Sequence, residues 1–124
     1  FGRTPLSLAV GNGHEVVVKL LLATEQVDIN FADRSGQTPF SLAVQWGHEA
    51  VVKLLLATEQ VDINFPDRSG RTPLSLAAQW GHEAVVKLLL ATEKVDVNFP
   101  DRLGRTPFSL AAQWGHEAVV KLLL

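Results

Sequence analysis

The 124-residue chain contains no cysteine and no methionine. Without cysteine it has no disulfide, no thiolate zinc site and no cysteine nucleophile. That absence fits an intracellular, cytoplasmic protein. No uninterrupted apolar run approaches the roughly 20 residues that a membrane span requires, and no signal peptide is visible, so no membrane partner is expected. Charge of one sign is also lacking. The formal net charge is −2, shared as −1, −2, 0 and +1 over residues 1–34, 35–68, 69–102 and 103–124. This gives no bulk electrostatic reason to expect nucleic acid. The chain opens at Phe1 and stops at Leu124, each inside a repeated unit. With no methionine anywhere, it reads as a segment of a larger multidomain protein.

What is present is repetition. Thr-Pro recurs at Thr4, Thr38, Thr72 and Thr106, and residues 35–68 and 69–102 are identical at 29 of 34 positions. A period in this range marks a stacked solenoid, in which no unit buries its apolar face alone. The chain divides into repeats 1–34, 35–68 and 69–102 and a partial fourth, 103–124, forming one domain with no capping repeats.

Within a unit, Thr38-Pro39 suits a helix start: a hydroxyl N-cap, then a residue with fixed φ and no amide hydrogen. A short helix follows to Trp46, and Gly47 is placed to end it in a left-handed conformation. His48-Glu49 opens a second helix, Ala50–Thr58, whose Val51, Val52, Leu54, Leu55 and Leu56 wrap most of its circumference. Glu49 and Lys53 at i, i+4 mark its solvated strip. The small Ala43 and Ala50 allow neighbouring helices to approach closely. Alternating Val61 and Ile63 predict a briefly extended strand, and Asp67–Gly70 has turn chemistry.

This unit resembles the ankyrin repeat. The resemblance rests on Asp67, Gly70, Thr72-Pro73-Leu74, Leu76-Ala77-Ala78, Gly81-His82, Val85-Val86, Leu88-Leu89-Leu90 and Asp96-Val97-Asn98, and it covers the whole chain. A tetratricopeptide array also steps by 34 residues, but it lacks the Thr-Pro opening and the long turn. The resemblance implies an all-α solenoid of stacked helix pairs with projecting β-turn fingers. Two features depart from the family pattern. Glu59-Gln60 and Glu93-Lys94 replace the single glycine that commonly ends the second helix. Serine (Ser7, Ser41, Ser75, Ser109) stands where the family has a histidine that ties neighbouring units, so that bond becomes local or is lost. The near-identity of the copies looks like the ankyrin arrays attached to fungal NACHT-type immune receptors, and a consensus-designed scaffold would look similar.

His14, His48, His82 and His116 each precede glutamate, which invites a metal site. However, valine occupies the position where a metallopeptidase helix needs its second histidine. Imidazoles on helices roughly 8–10 Å apart cannot converge within about 2.1 Å of one ion. The histidines therefore read as structural, with no metal and no cofactor. The serines of the first helices have no adjacent base, and near-identical units do not bring different residues together at one place. The chain reads as a non-enzyme.

The surface signal is the ladder Trp46, Trp80 and Trp114, each preceded by glutamine (Gln45, Gln79, Gln113). In the family this pair faces the concave groove. The other contact positions lie on the turns, here Arg34, Ser35, Gln37; Arg68, Ser69, Arg71; and Arg102, Leu103, Arg105. Tryptophan and arginine are over-represented at binding hot spots and can stack on one another. Two other readings stand beside this one. The indoles could pack over the next helix as core, and the first copy, with Gly11-Asn12, dispenses with the pair. The arginines could pair with Asp33, Asp67 and Asp101.

The resulting expectation is a protein-recognition module with a Gln, Trp and Arg groove for a protein or peptide partner bearing acidic and apolar groups. The alternative is a structural spacer or a self-assembling solenoid. Its ends, bare at Leu6, Leu8, Val10, Val16, Val17, Leu20 and Leu21 and at Val119, Val120, Leu122, Leu123 and Leu124, would associate end to end. Single-stranded nucleic acid on the Trp-Arg face is a third reading, against which the net charge argues.

Overall fold

The computed structural model describes residues 2–124. They form four antiparallel helix pairs: α1 (Pro5–Gly11) with α2 (Glu15–Leu22), α3 (Pro39–Gln45) with α4 (Glu49–Ala57), α5 (Pro73–Trp80) with α6 (Glu83–Ala91), and α7 (Pro107–Gln113) with α8 (Glu117–Leu123). Each pair stacks on the next. The odd helices pack more closely on one another than the even ones do, so the odd row lines the inner side of the stack and the even row the outer.

Each odd helix starts where Thr-Pro predicts. Thr38 has extended backbone and its hydroxyl accepts from Ser41 N at 3.2 Å. Ser41 Oγ in turn accepts from Thr38 N at 2.8 Å and donates to Thr38 O at 2.9 Å. This reciprocal cap satisfies two otherwise orphaned amides. The serine at the family's histidine position therefore bonds locally, within its own turn. Helix α3 ends with Gly47 at φ 69°. The Gly47 amide returns to Val44 O and the His48 amide to Ala43 O, at 3.1 and 3.0 Å, closing the helix in a Schellman motif.

The core is continuous from one pair to the next. Phe40, Leu42, Val44, Leu74, Leu76 and Ala78 come from the inner row and Val51, Val52, Leu55, Val85, Val86 and Leu89 from the outer row, all fully buried. Ala43 lies in this seam, whereas Ala50 is exposed and takes no part in close helix approach. The i, i+4 pairs Glu15–Lys19, Glu49–Lys53, Glu83–Lys87 and Glu117–Lys121 run along the outer surface at 3.2–3.6 Å. Solvent screens them, and each contributes a few tenths of a kcal/mol at most.

The connections differ from the expected strand: there is none among the described residues. Asp62 Oδ1 accepts from Asn64 N at 3.3 Å, folding Val61–Asn64 into a turn through the short side-chain bond that aspartate offers its own backbone. Glu59 and Glu93 sit at φ 59° and 60°. The left-handed residue after the outer helix is thus retained although it is not glycine. The added residue is accommodated by Gln60 N donating to Thr58 Oγ1 at 3.2 Å.

At the ends, the apolar faces are less bare than the sequence suggests. Leu6, Val10 and Val119 are buried. Leu8 and Val17 are exposed although Leu42 and Val51, one repeat on, are buried, because the end pair lacks a neighbour on its far side; Val16, Leu20 and Leu124 are exposed as well.

Candidate functional site

Three sets of side chains repeat along the inner row and the fingers. Trp46 and Trp114 cap α3 and α7, and Trp80 is the last residue of α5. Trp46, Trp80 and Trp114 are 58 %, 51 % and 55 % exposed. The indoles are therefore not core. More than half of each is open to solvent, in contrast to Leu76 on the same helix as Trp80, which is fully buried.

The glutamine before each tryptophan lies at the far end of its helix from the finger. Gln37 Nε2 reaches Gln45 Oε1 at 2.6 Å and Arg71 Nη1 reaches Gln79 Oε1 at 3.3 Å. These bonds run the length of the buried helices α3 and α5, from the finger to the helix end, and hold the glutamine oxygens. Gln37 is itself buried, so it supports Gln45 and presents little to solvent. Gln113 is exposed.

Each finger is built on one buried aspartate. Asp67 Oδ1 accepts from Ser69 N and Arg71 N, both at 2.9 Å, and Oδ2 accepts from Arg71 Nε at 3.1 Å. Asp101 repeats this with Leu103 N, Arg105 N and Arg105 Nε at 2.9, 2.8 and 2.8 Å. Burial alone would raise the Asp101 carboxyl; the hydrogen bonds from the Arg105 backbone and side chain and from the Leu103 backbone outweigh it and hold the group below its ordinary value. Arg71 and Arg105 are accordingly committed to their fingers, as is Arg3 to Asp33 at 3.4 Å. Arg34, Arg68 and Arg102 are exposed and have no carboxylate partner among the described residues. Neighbouring fingers are joined by backbone bonds, Arg68 N to Ser35 O at 3.1 Å and Arg102 N to Ser69 O at 3.0 Å. Between the second and third lies a polar cleft of about 360 Å³ bordered by Arg34, Arg68 and Arg71.

The histidines sit on the opposite end of the pairs. His48, His82 and His116 Nε2 meet the carbonyl oxygens of Gly11, Gln45 and Gln79, one repeat back, at 3.1, 2.7 and 2.8 Å. They replace in function the inter-repeat bond that serine gives up. A second tie was not read from the sequence. Asn64 Nδ2 donates to Lys94 O at 3.0 Å while its Oδ1 accepts from Asp96 N at 2.8 Å. Asn30 holds Gln60 O and Asp62 N in the same way. The recurrence of Asp-Ile-Asn at a fixed step was the available signal; alternation of apolar residues pointed instead to a strand.

Charge is sorted by position. The finger row carries six arginines against three aspartates, and the connections carry Glu25, Asp28, Glu59, Asp62, Glu93 and Asp96 against Lys94. The near-neutral total therefore hides a basic finger edge and an acidic edge along the connections. No described helix is long and apolar enough to cross a membrane.

A search of curated proteins found no match. The family model for ankyrin repeats, three copies long, matches residues 1–67 and again residues 55–124. With the family's helix pairs, fingers and stacking present at every step of this structure, the chain belongs to the ankyrin-repeat family.

Proposed function

We propose that the inner helix ends and the finger row form a recognition surface for a protein or peptide, within a larger protein. Ankyrin repeats generally mediate protein–protein interaction and are typically non-enzymatic. One observation carries the proposal for this chain: an indole more than half exposed at Trp46, Trp80 and Trp114, once per step. Leaving so much aromatic surface in water forfeits about 25 cal/mol per Å² that burial would return, and tryptophan and arginine are the residue types enriched at binding hot spots. Selection from a displayed library of random peptides tests it. Peptides enriched by the intact chain should lose binding to the Trp46→Ala, Trp80→Ala, Trp114→Ala triple variant while its melting temperature stays put. Peptides that bind both proteins equally would remove the tryptophan face from the reading.

The second reading, a self-stacking solenoid, is favoured by the exposed Leu8 and Val17 (50 % and 45 %), whose counterparts one repeat on, Leu42 and Val51, are buried. A head-to-tail contact of this kind need not close. Sedimentation of the 124-residue chain should show growth with concentration, suppressed by Leu8→Lys with Val17→Lys. A monomer at all accessible concentrations removes this reading.

A further inference from the structure

The hydrogen-bonding capacity of the tryptophan face is one-sided. An indole N–H can only donate, as can a guanidinium. None of the three indole N–H groups finds an acceptor among the described residues, and Arg34, Arg68 and Arg102 are likewise uncommitted. Glutamine could supply acceptors, but one lone pair of Gln79 Oε1 is used by Arg71 Nη1 and one of Gln45 Oε1 by Gln37 Nε2, leaving Gln113 Oε1 the least committed. The amide NH₂ groups add further donors. The face is therefore a row of apolar plates separated mostly by donors.

A ligand matching such a face is rich in acceptors, poor in donors and periodic. Proline has a backbone carbonyl and no N–H, and a polyproline II segment leaves its carbonyls free of internal bonds. Three residues of that helix rise about 9.3 Å at 3.1 Å each, matching the roughly 8–10 Å separation of packed helices of the kind that carry successive indoles. Its ordering is already complete before binding, so little conformational entropy is lost on docking. An extended β-segment fits less well. It brings unpaired N–H groups to a surface poor in acceptors for them, and its same-face spacing of about 6.8 Å misses the step.

Resting on the recognition reading above, we infer that the partner segment is a proline-rich, acidic polyproline II stretch running along the stack. Pyrrolidine rings lie between Trp46, Trp80 and Trp114, its carbonyls accept from the indole and glutamine donors, and its carboxylates face Arg34, Arg68 and Arg102. The cleft of about 360 Å³ between two fingers, bordered by Arg34 and Arg68, admits such a carboxylate.

Two synthetic peptides of equal charge test this, (Glu-Pro-Pro)₅ and (Glu-Ser-Gly)₅, titrated into the full chain while the indole N–H resonances are followed. The proline peptide should shift all three resonances and bind at least about tenfold more tightly than its flexible counterpart. Trp80→Ala should weaken it by at least about tenfold. Arg68→Glu, a change at an exposed finger tip that leaves the core untouched, should weaken it as well. Equal binding of the two peptides would show a surface that reads charge alone and would overturn the inference. So would failure of the proline peptide while library-selected peptides still bind through the tryptophans; in that case the recognition reading survives. If neither kind of peptide binds, both fall.

Discussion

His82 Nε2 lies 2.7 Å from the carbonyl oxygen of Gln45, one repeat behind it in the stack. The contact depends on a glycine. A Cβ at Gly47 would stand 2.6 Å from His82 Nδ1, so the ring passes over the turn only because no side chain is there. Gly47 thus serves both the left-handed end of α3 and the approach of the next repeat. The same pairing recurs between Gly13 and His48 and between Gly81 and His116.

Replacing His82 by alanine should cost about 1–3 kcal/mol, the range for leaving a largely buried partner unsatisfied, read from urea unfolding. His14→Ala is the control, since His14 is exposed and makes no such bond among the described residues; it should cost under about 0.5 kcal/mol. Zinc should leave the melting temperature unchanged, because successive imidazoles are a repeat apart and three of them are committed to carbonyls. Tight stoichiometric zinc binding by the monomer would contradict the structural role.

Asn64→Ala removes both halves of the clamp on the following connection and should cost about 2 kcal/mol at two hydrogen bonds of about 1 kcal/mol each. Asn98, the corresponding residue one step on, is exposed and holds no such connection among the described residues. Asn98→Ala should therefore be close to neutral. Equal losses at the two positions would mean that the asparagine acts within its own turn and not between repeats.

Glu59→Gly should raise stability by about 0.5–1 kcal/mol. A left-handed residue with a Cβ costs roughly 1–2 kcal/mol, and glycine returns part of that through its looser unfolded chain. Glu25, whose φ is not positive, provides the contrast: Glu25→Gly should be neutral or destabilising. Chemical denaturation of the two variants beside the parent decides it.

Asp101 should make the fold acid-sensitive. Its carboxyl titrates lower in the folded chain than its ordinary value of 3.8. The ionised form is thus favoured by folding, and this stabilisation is complete above about pH 4, the unfolded carboxyl range. It is lost as pH falls through the folded value. Asp101→Asn keeps an oxygen for the Leu103 and Arg105 amides but drops the charge, and at pH 7 should cost about 1–2 kcal/mol. The gap from the parent should narrow steadily below about pH 4. A gap that stays constant down to pH 2 would show that the charge is immaterial.

Period, helix starts and inner-helix ends were legible in the sequence because each is a local matter. Thr38-Pro39 caps its own helix, Gly47 ends it, and Glu49 finds Lys53 one turn away whatever the repeats do. The apolar face of each unit required a neighbour, so the stack was legible too. What the indoles and arginines do was not legible. Exposure of Trp80 depends on how closely α5 and α7 approach, and Arg71 but not Arg68 turns back to Asp67 although both lie within four residues of it. The role of Asn64 was not legible because its two partners, Lys94 and Asp96, are a full repeat away and meet it only in the assembled stack. Side-chain hydrogen bonds are short and directional, so a repeat spacing alone does not assign them; the tertiary structure alone decided which groups were used in holding the stack and which remained free for a partner.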